Sequence, residues 1–296
     1  MIQVATFDIL PTDAIFPTFF PSLPEDDPFN DKFDRLQIGS RYLVMNMGTM
    51  LVILAFYVAL YMLYPCLVFL KNDAKCAAKL RPKIHKMIFW NHSILFIQEG
   101  FLDILIAGAV NLFFLHQGTL EWNSYSLIFT NLLAIFLVSC CGLLFILIVG
   151  YLLPNFDQLK SKRIKRRFYP AYEMLNLKNG RWTFLWPVFF IARRVLFVVG
   201  VCALVNYASM QLIMFIMPTL AVMMLLALVK PLEDNAANKI ETYNSFMILM
   251  MTYCLMCFTP LALDEIARYT MGYVMVFLTT KNIVVNIYVV SRAPVR

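Results

Sequence analysis

Long runs of apolar residues, separated by short polar connectors, dominate the chain from residue 43 onward. An α-helix of roughly 20 apolar residues can cross the hydrocarbon core of a bilayer, which is about 30 Å thick. We therefore predict an all-α fold, a polytopic transmembrane helical bundle over residues 42–290 with about seven helices. The predicted spans are approximately 43–70, 88–115, 125–153, 182–206, 211–229, 243–262 and 272–290.

Charge in the connectors predicts the orientation of these spans. Basic residues greatly outnumber acidic ones after the first and third spans, and such connectors face the cytoplasm. The basic residues are Lys71, Lys75, Lys79, Arg81, Lys83 and Lys86 in the first connector and Lys160, Lys162, Arg163, Lys165, Arg166, Arg167, Lys178 and Arg181 in the second. With seven alternating spans, the acidic segment 1–41 lies outside and the tail 291–296 is cytoplasmic.

The composition agrees with a lipid environment. Hydrophobic residues make up 61% of the chain and charged residues 15%, whereas soluble domains are nearer half and a quarter. Seven cysteines, an odd number, lie almost entirely in apolar runs and predict no disulfide framework. The start of the chain lacks the pattern of a cleavable signal peptide, so either the first span is a signal-anchor or the chain is the C-terminal part of a longer protein.

The net charge of +7 raises the question of an anionic partner. Anionic headgroups on the cytoplasmic leaflet explain the basic run better than nucleic acid does, at about 1 kcal/mol per basic residue near the surface. The residues expected to contact anionic lipid are Lys160, Lys162, Arg163, Lys165, Arg166 and Arg167. The alternative is that this run only determines topology, without binding a specific lipid.

Five ionisable residues fall inside the predicted spans and form a candidate intramembrane charge network: Glu99, Asp103, Arg193, Arg194 and Lys281. Each costs roughly 2.5–3.5 kcal/mol at the centre of an isolated membrane helix, so pairing inside the bundle is expected. We predict that one of the two arginines pairs with Glu99 or Asp103, and that Lys281 joins the network or snorkels. A static network that sets helix register and a polar path for ions or protons both fit this pattern.

Catalysis finds little support in the sequence. The three histidines are scattered, and no metalloprotease, nucleophile-elbow or phosphate-loop motif is present. A lysine in the seventh span invites comparison with retinal proteins, but the residues around Lys281 match no retinal motif. We therefore expect no enzyme activity, no cofactor and no metal.

Several short segments, taken in order, resemble the C-terminal multi-pass membrane module of ciliate transmembrane surface proteins. They are Phe19-Phe-Pro-Ser-Leu-Pro, Gly39-Ser-Arg-Tyr-Leu-Val-Met-Asn-Met-Gly48, Phe89-Trp-Asn, Glu99-Gly-Phe-Leu-Asp103, Arg193-Arg194, Lys230-Pro231, Asn238-Lys-Ile-Glu241-Thr-Tyr-Asn244 and Arg268-Tyr-Thr-Met-Gly272. About residues 180–290 are also distantly similar to fungal TRP-like (polycystin-related) channels, in Arg181-Trp182, the double arginine, and Lys-Pro followed by Asn-x-x-Glu.

The first resemblance implies a plasma or ciliary membrane location and a cysteine-rich extracellular region upstream. This chain departs from that pattern, because it has no such region. The second implies a TRP-like module that conducts cations. However, the outer connectors are short and no backbone filter sequence is visible. The alternative is a non-conducting anchor or scaffold subunit of a membrane protein complex. We expect the chain to form a homo-oligomer or to belong to a larger membrane assembly.

Overall fold

The computed structural model describes residues 18–21, 23, 29, 40–69, 92–116, 121–159, 161–260 and 265–292. Within these residues the fold is all-helical, and an isolated β-bridge joins Leu175 and Leu232. The first basic connector, most of segment 1–41, Lys160 and the last four residues lie outside the described residues. The chain divides into two compact units, Gln3–Ala171 and Tyr172–Arg296.

The described part of the N-terminal unit consists of helices and short turns. The helices are α1 (Leu43–Asn46), α2 (Gly48–Phe69), α3 (Ser93–Glu99), α4 (Phe101–His116), α5 (Tyr125–Ile146) and α6 (Lys162–Phe168). A π-helical turn, Leu147–Leu152, extends α5. Short 3₁₀ turns, Phe156–Gln158 and Tyr169–Ala171, flank α6.

Packing of α4 against α5 forms the centre of this unit. The side chain of Val138 occupies the space where a Cβ on Gly108 would lie, so the two backbones approach closely there. The short helix α1 contacts both α4 and α5. Its Leu43 and Val44 are fully buried, and the Val44 amide donates to Thr130 Oγ1 at 3.4 Å. Segment 40–46 is therefore anchored on the α4–α5 pair.

The described part of the C-terminal unit is a series of long helices. They are α7 (Leu185–Ala203), α8 (Ala208–Val229), α9 (Asn235–Met256) and α10 (Glu265–Arg292), preceded by 3₁₀ turns Leu177–Asn179 and Arg181–Phe184. Helices that follow one another in sequence pack together. The side-chain amide of Gln211, at the start of α8, donates to the carbonyl oxygens of Gly200 and Leu204 at 3.2 and 2.9 Å and so caps the C-terminal end of α7. The predicted break between the fourth and fifth spans is thus confirmed.

Helices α9 and α10 pack antiparallel with a seven-residue repeat. Asn244 is hydrogen-bonded to Asn286, and Thr279 Oγ1 donates a hydrogen bond to the sulfur of Met251 at 3.4 Å. Phe258 lies 3.8 Å from the position that a Cβ on Gly272 would take. Each step advances seven residues along α9 and retreats seven along α10. Such a heptad spacing is typical of left-handed coiled-coil packing between helices.

The predicted spans are confirmed in part. Among the described residues, five helical segments are long and apolar enough to cross a membrane: Gly48–Cys66, Tyr125–Leu152, Arg181–Ala203, Ala208–Val229 and Glu265–Val289. The bent pair α3 and α4 raises the number to six if it crosses as one span. Helix α9 is 22 residues long, but its first half is polar, and it is not among them. Seven crossings and the orientation stay predictions.

Candidate functional site

Glu99 and Asp103 flank a sharp bend in the second predicted span. Helix α3 ends at Glu99 and α4 begins at Phe101, with a bend of 70° between them. The terminal methyl group of Met50, from α2, occupies the space that a Cβ on Gly100 would need, so a larger residue at position 100 would require Met50 to move. The predicted second span, 88–115, is therefore not one straight helix, because the helix axis changes direction between the two carboxylates.

The two carboxylates differ in their surroundings. Glu99 is exposed, and Tyr57 of α2 lies within its electrostatic range. Asp103 is half-buried in the first turn of α4 and interacts with other groups of the chain. A carboxylate exposed at a break in an apolar helix is a position that ion-handling membrane proteins use.

Arg193 of α7 has an acidic partner within its own unit. The carboxylate of Glu241 on α9 interacts electrostatically with its guanidinium. Counted from the first residues of α7 and α9, Arg193 is about 12 Å along its helix and Glu241 about 9 Å along its own. The two helices start from the same side of the bundle because α8 runs back between them, so the charges lie at similar depth.

Arg194 is held differently from its neighbour. Its side chain is 8% exposed, and its guanidinium carbon lies 3.7 Å from the centre of the Phe190 ring, one turn earlier on α7. Arg194 also interacts with further groups of the chain. A desolvated cation over an aromatic face gains about 2 kcal/mol or more, which offsets part of the cost of burial. The predicted pairing of either arginine with Glu99 or Asp103 stays a prediction.

Lys281 occupies the face of α10 that points away from α9. Asn286, Thr279 and Gly272 form the contact with α9. At 100° per residue, Lys281 lies on the opposite side of the helix, and it is exposed. An exposed stripe of large side chains surrounds it, which we call the outer stripe of α10: Tyr273, Phe277, Lys281, Val284 and Tyr288.

An amide cluster between α9 and α10 was missed by sequence reasoning. The side-chain amides of Asn244 and Asn286 donate to each other's oxygens at 3.2 and 2.9 Å. Asn286 also donates to Asn282 Oδ1 at 3.2 Å. The available signal was the pair Asn282 and Asn286, one helical turn apart within the predicted seventh span, together with Asn244 at the start of the predicted sixth span. Reciprocal amide bonds of this kind select one register of a helix pair.

A second cluster, also missed, holds the connector between α8 and α9. Asn238 is 6% exposed; its amide donates to the Leu232 carbonyl at 2.8 Å, and its oxygen accepts from the Leu232 amide at 3.1 Å. The backbone of residues 174–176 bonds the other side of the connector through Asn176 N to Pro231 O, at 2.7 Å, and Glu233 N to Met174 O, at 3.0 Å. The connector is thus fixed on both sides.

The basic run forms an amphipathic helical turn where it is described. Ser161 caps α6 by accepting from the Ile164 amide at 3.5 Å. Ile164 and Phe168 are buried, whereas Lys165 and Arg167 are exposed. Lys160 and the side chains of Lys162, Arg163 and Arg166 lie outside the described residues. Exposed basic residues over a buried apolar edge are compatible with the predicted lipid contact, which stays a prediction.

Comparison with known proteins gives no relative: no family model, curated protein or solved structure matches the chain. The class of protein must therefore be inferred from the properties of its helices. Several long apolar helices, with large side chains exposed along them, are compatible with a multi-pass α-helical membrane protein. Among the described residues, no group of three histidine, cysteine or acidic side chains is arranged to hold a metal ion.

Proposed function

We propose that this chain is a multi-pass membrane subunit that organises a larger protein assembly, with the outer stripe of α10 as a contact surface. The observation that carries the proposal is the exposed Lys281 in the middle of that stripe. No residue in the membrane-length segment of α10 is fully buried within the chain, and the side of α10 that faces α9 is only partly covered. A lysine facing acyl chains near mid-depth costs roughly 2.5–3.5 kcal/mol, so a protein partner is favoured there.

Snorkelling does not remove this cost easily. Lys281 lies eight residues before Val289, the end of the membrane-length segment of α10. That distance is about 12 Å along the helix, whereas an extended lysine side chain reaches only about 6 Å. Tyrosine and phenylalanine on the same stripe are residue types enriched in the buried parts of protein interfaces.

The topology proposed for this subunit follows the charge of its connectors. The acidic segment 1–41 lies outside, and the basic connectors 71–86 and 160–181 face the cytoplasm. In this arrangement α6 rests on the cytoplasmic leaflet, where Lys165 and Arg167 meet anionic headgroups. The resemblance to ciliate surface proteins supports a plasma or ciliary membrane.

A photo-crosslinking experiment tests the assembly role. With p-benzoylphenylalanine in place of Phe277, irradiation of native membranes is expected to give one protein adduct of defined, higher mass. The matched control carries the same amino acid at Met247, a buried position on α9, and is expected to give only products at the mass of the single chain. If Phe277 also gives products only at that mass, the outer stripe faces lipid and the assembly role is wrong.

Cation conduction is the second candidate, and the bend at Gly100 favours it. Broken helices with a carboxylate at the break line ion paths in several kinds of membrane protein, and the TRP-like resemblance points the same way. Here Glu99→Gln is expected to lower cation current across a planar bilayer at least severalfold, because a cation loses its charged ligand. Glu121→Gln, in an outer connector, is the matched control. Absence of current from the unaltered chain would contradict conduction.

A further inference from the structure

Two ionisable side chains of opposite sign are exposed on helices that are otherwise apolar. Lys281 lies on the outer stripe of α10, and Glu99 lies at the bend between α3 and α4. Lys281 belongs to the membrane-length segment of α10, and Glu99 belongs to the bent pair α3–α4, which reaches membrane length when the two helices cross as one span. Left in contact with lipid, each costs roughly 2.5–3.5 kcal/mol, so a chain that exposes both needs a partner for each.

With α3–α4 crossing as one span, the proposed topology gives the two charges matching depths in the membrane. In the proposed topology, α4 ends and α10 begins at the outer side of the membrane. Glu99 lies 14 residues before Phe113, the end of the apolar segment of α4, which corresponds to about 21 Å. Lys281 lies 16 residues after Glu265, which corresponds to about 24 Å. The difference is smaller than the length of a lysine side chain.

We propose that the partner of the outer stripe is a second copy of this chain, with Lys281 of one copy paired to Glu99 of the other. This inference rests on the proposed assembly role and names its partner. Each copy carries one exposed acid and one exposed base at the same depth, so a contact made in this way balances both charges. A different partner protein would have to supply a carboxylate at this depth for Lys281 and, separately, a base for Glu99.

The side chains around Lys281 would make the contact between two copies specific. Tyr273 and Phe277 precede Lys281 by two turns and one turn on the same stripe, so the ammonium group is flanked by large apolar surface. An ion pair shielded in this way is little screened by salt and strongly penalises like charges. Charge reversal at either position should therefore act on assembly far more than on the fold of the single chain.

The test uses charge-reversed full-length chains in lipid nanodiscs, with the oligomer fraction measured by mass photometry. Glu99→Lys and Lys281→Glu are each expected to lower the oligomer association constant at least tenfold when expressed alone. Co-expression of the two single variants, carrying different affinity tags, should restore association to within about twofold. The milder variants Glu99→Gln and Lys281→Met should show intermediate losses and guard against misfolding of the reversed chains.

Co-expression separates pairing between copies from pairing within one chain. In a mixed oligomer, the reversed charge of Glu99→Lys in one copy faces the reversed charge of Lys281→Glu in the other, so every contact joins opposite charges. Pairing within a chain instead leaves like charges together in both variants. Rescue only in the double variant Glu99→Lys/Lys281→Glu, and not on co-expression, would overturn the proposal.

Unchanged association in all variants would overturn the proposal as well. If adducts at Phe277 persist in that case, the assembly role stands without this charge pairing. Glu121→Lys, a reversal in an outer connector, is the control and should leave association unchanged.

Discussion

Replacement of Glu241 by alanine is expected to lower the free energy of unfolding by about 2–4 kcal/mol, because the half-buried guanidinium of Arg193 loses the favourable field of this carboxylate. Removal of one charge of an interacting pair costs more than removal of both, since the remaining charge keeps its own desolvation penalty. The measurement is reversible unfolding in bicelles with increasing dodecyl sulfate, followed by far-UV circular dichroism.

Two further variants separate this cause from a general loss of acidic side chains. Glu233→Ala removes an exposed acid from the preceding connector, whose hydrogen bond to Met174 comes from its backbone, and should change stability by less than about 0.5 kcal/mol. Arg193→Met combined with Glu241→Met should recover most of the lost stability, because no charge is left unpaired. Equal destabilisation by the single and double variants would show that packing, and not charge, accounts for the loss.

Replacement of Asn238 by alanine is expected to lower the free energy of unfolding by about 2–4 kcal/mol, an effect of similar size. The change removes both hydrogen bonds to the backbone of Leu232, a buried residue, and leaves an amide and a carbonyl without partners. The connector between α8 and α9 should then open more often. Cleavage after Glu233 by a glutamate-specific protease, in detergent solution, reports that opening directly.

Asn235→Ala provides the matched control, because Asn235 is the exposed first residue of the same helix. It should alter neither stability nor the cleavage rate by more than a small factor. If Asn238→Ala is cleaved no faster than the unaltered chain, the contacts with residues 174–176 hold the connector without help from Asn238.

The sequence predicted the apolar helices better than it predicted the contacts between polar side chains. Hydropathy alone predicted an all-helical chain and placed most helix ends within a few residues, as α7 and α8 show. It also identified Arg193, Arg194 and Lys281 as residues that need an explanation. It predicted the second span as one continuous segment, whereas the structure bends by 70° between α3 and α4, and no hydrophobic pattern along the chain marked that bend.

The sequence could not predict which polar side chains contact one another. Glu241 entered the sequence analysis only as part of an Asn-x-x-Glu resemblance, yet it lies opposite Arg193 in space although 48 residues separate them. The amide pair between Asn244 and Asn286 joins residues 42 positions apart. Such pairs depend on which faces of two helices meet, and hydropathy along one helix does not determine its rotation against a neighbour.

The sequence by itself determined that this protein is helical and suited to lipid, because backbone groups in an apolar medium must bond within each segment. Connector charge predicts an orientation in the membrane, because this signal is carried by short segments and does not depend on the fold. Only the tertiary structure decided which charges are covered and which are exposed. Asn238, Glu241 and Asn286 lie inward because α8, α9 and α10 pack in one register. Lys281 is exposed because the packing of α10 against α9 covers only the opposite face of α10, and Glu99 is exposed at the bend between α3 and α4.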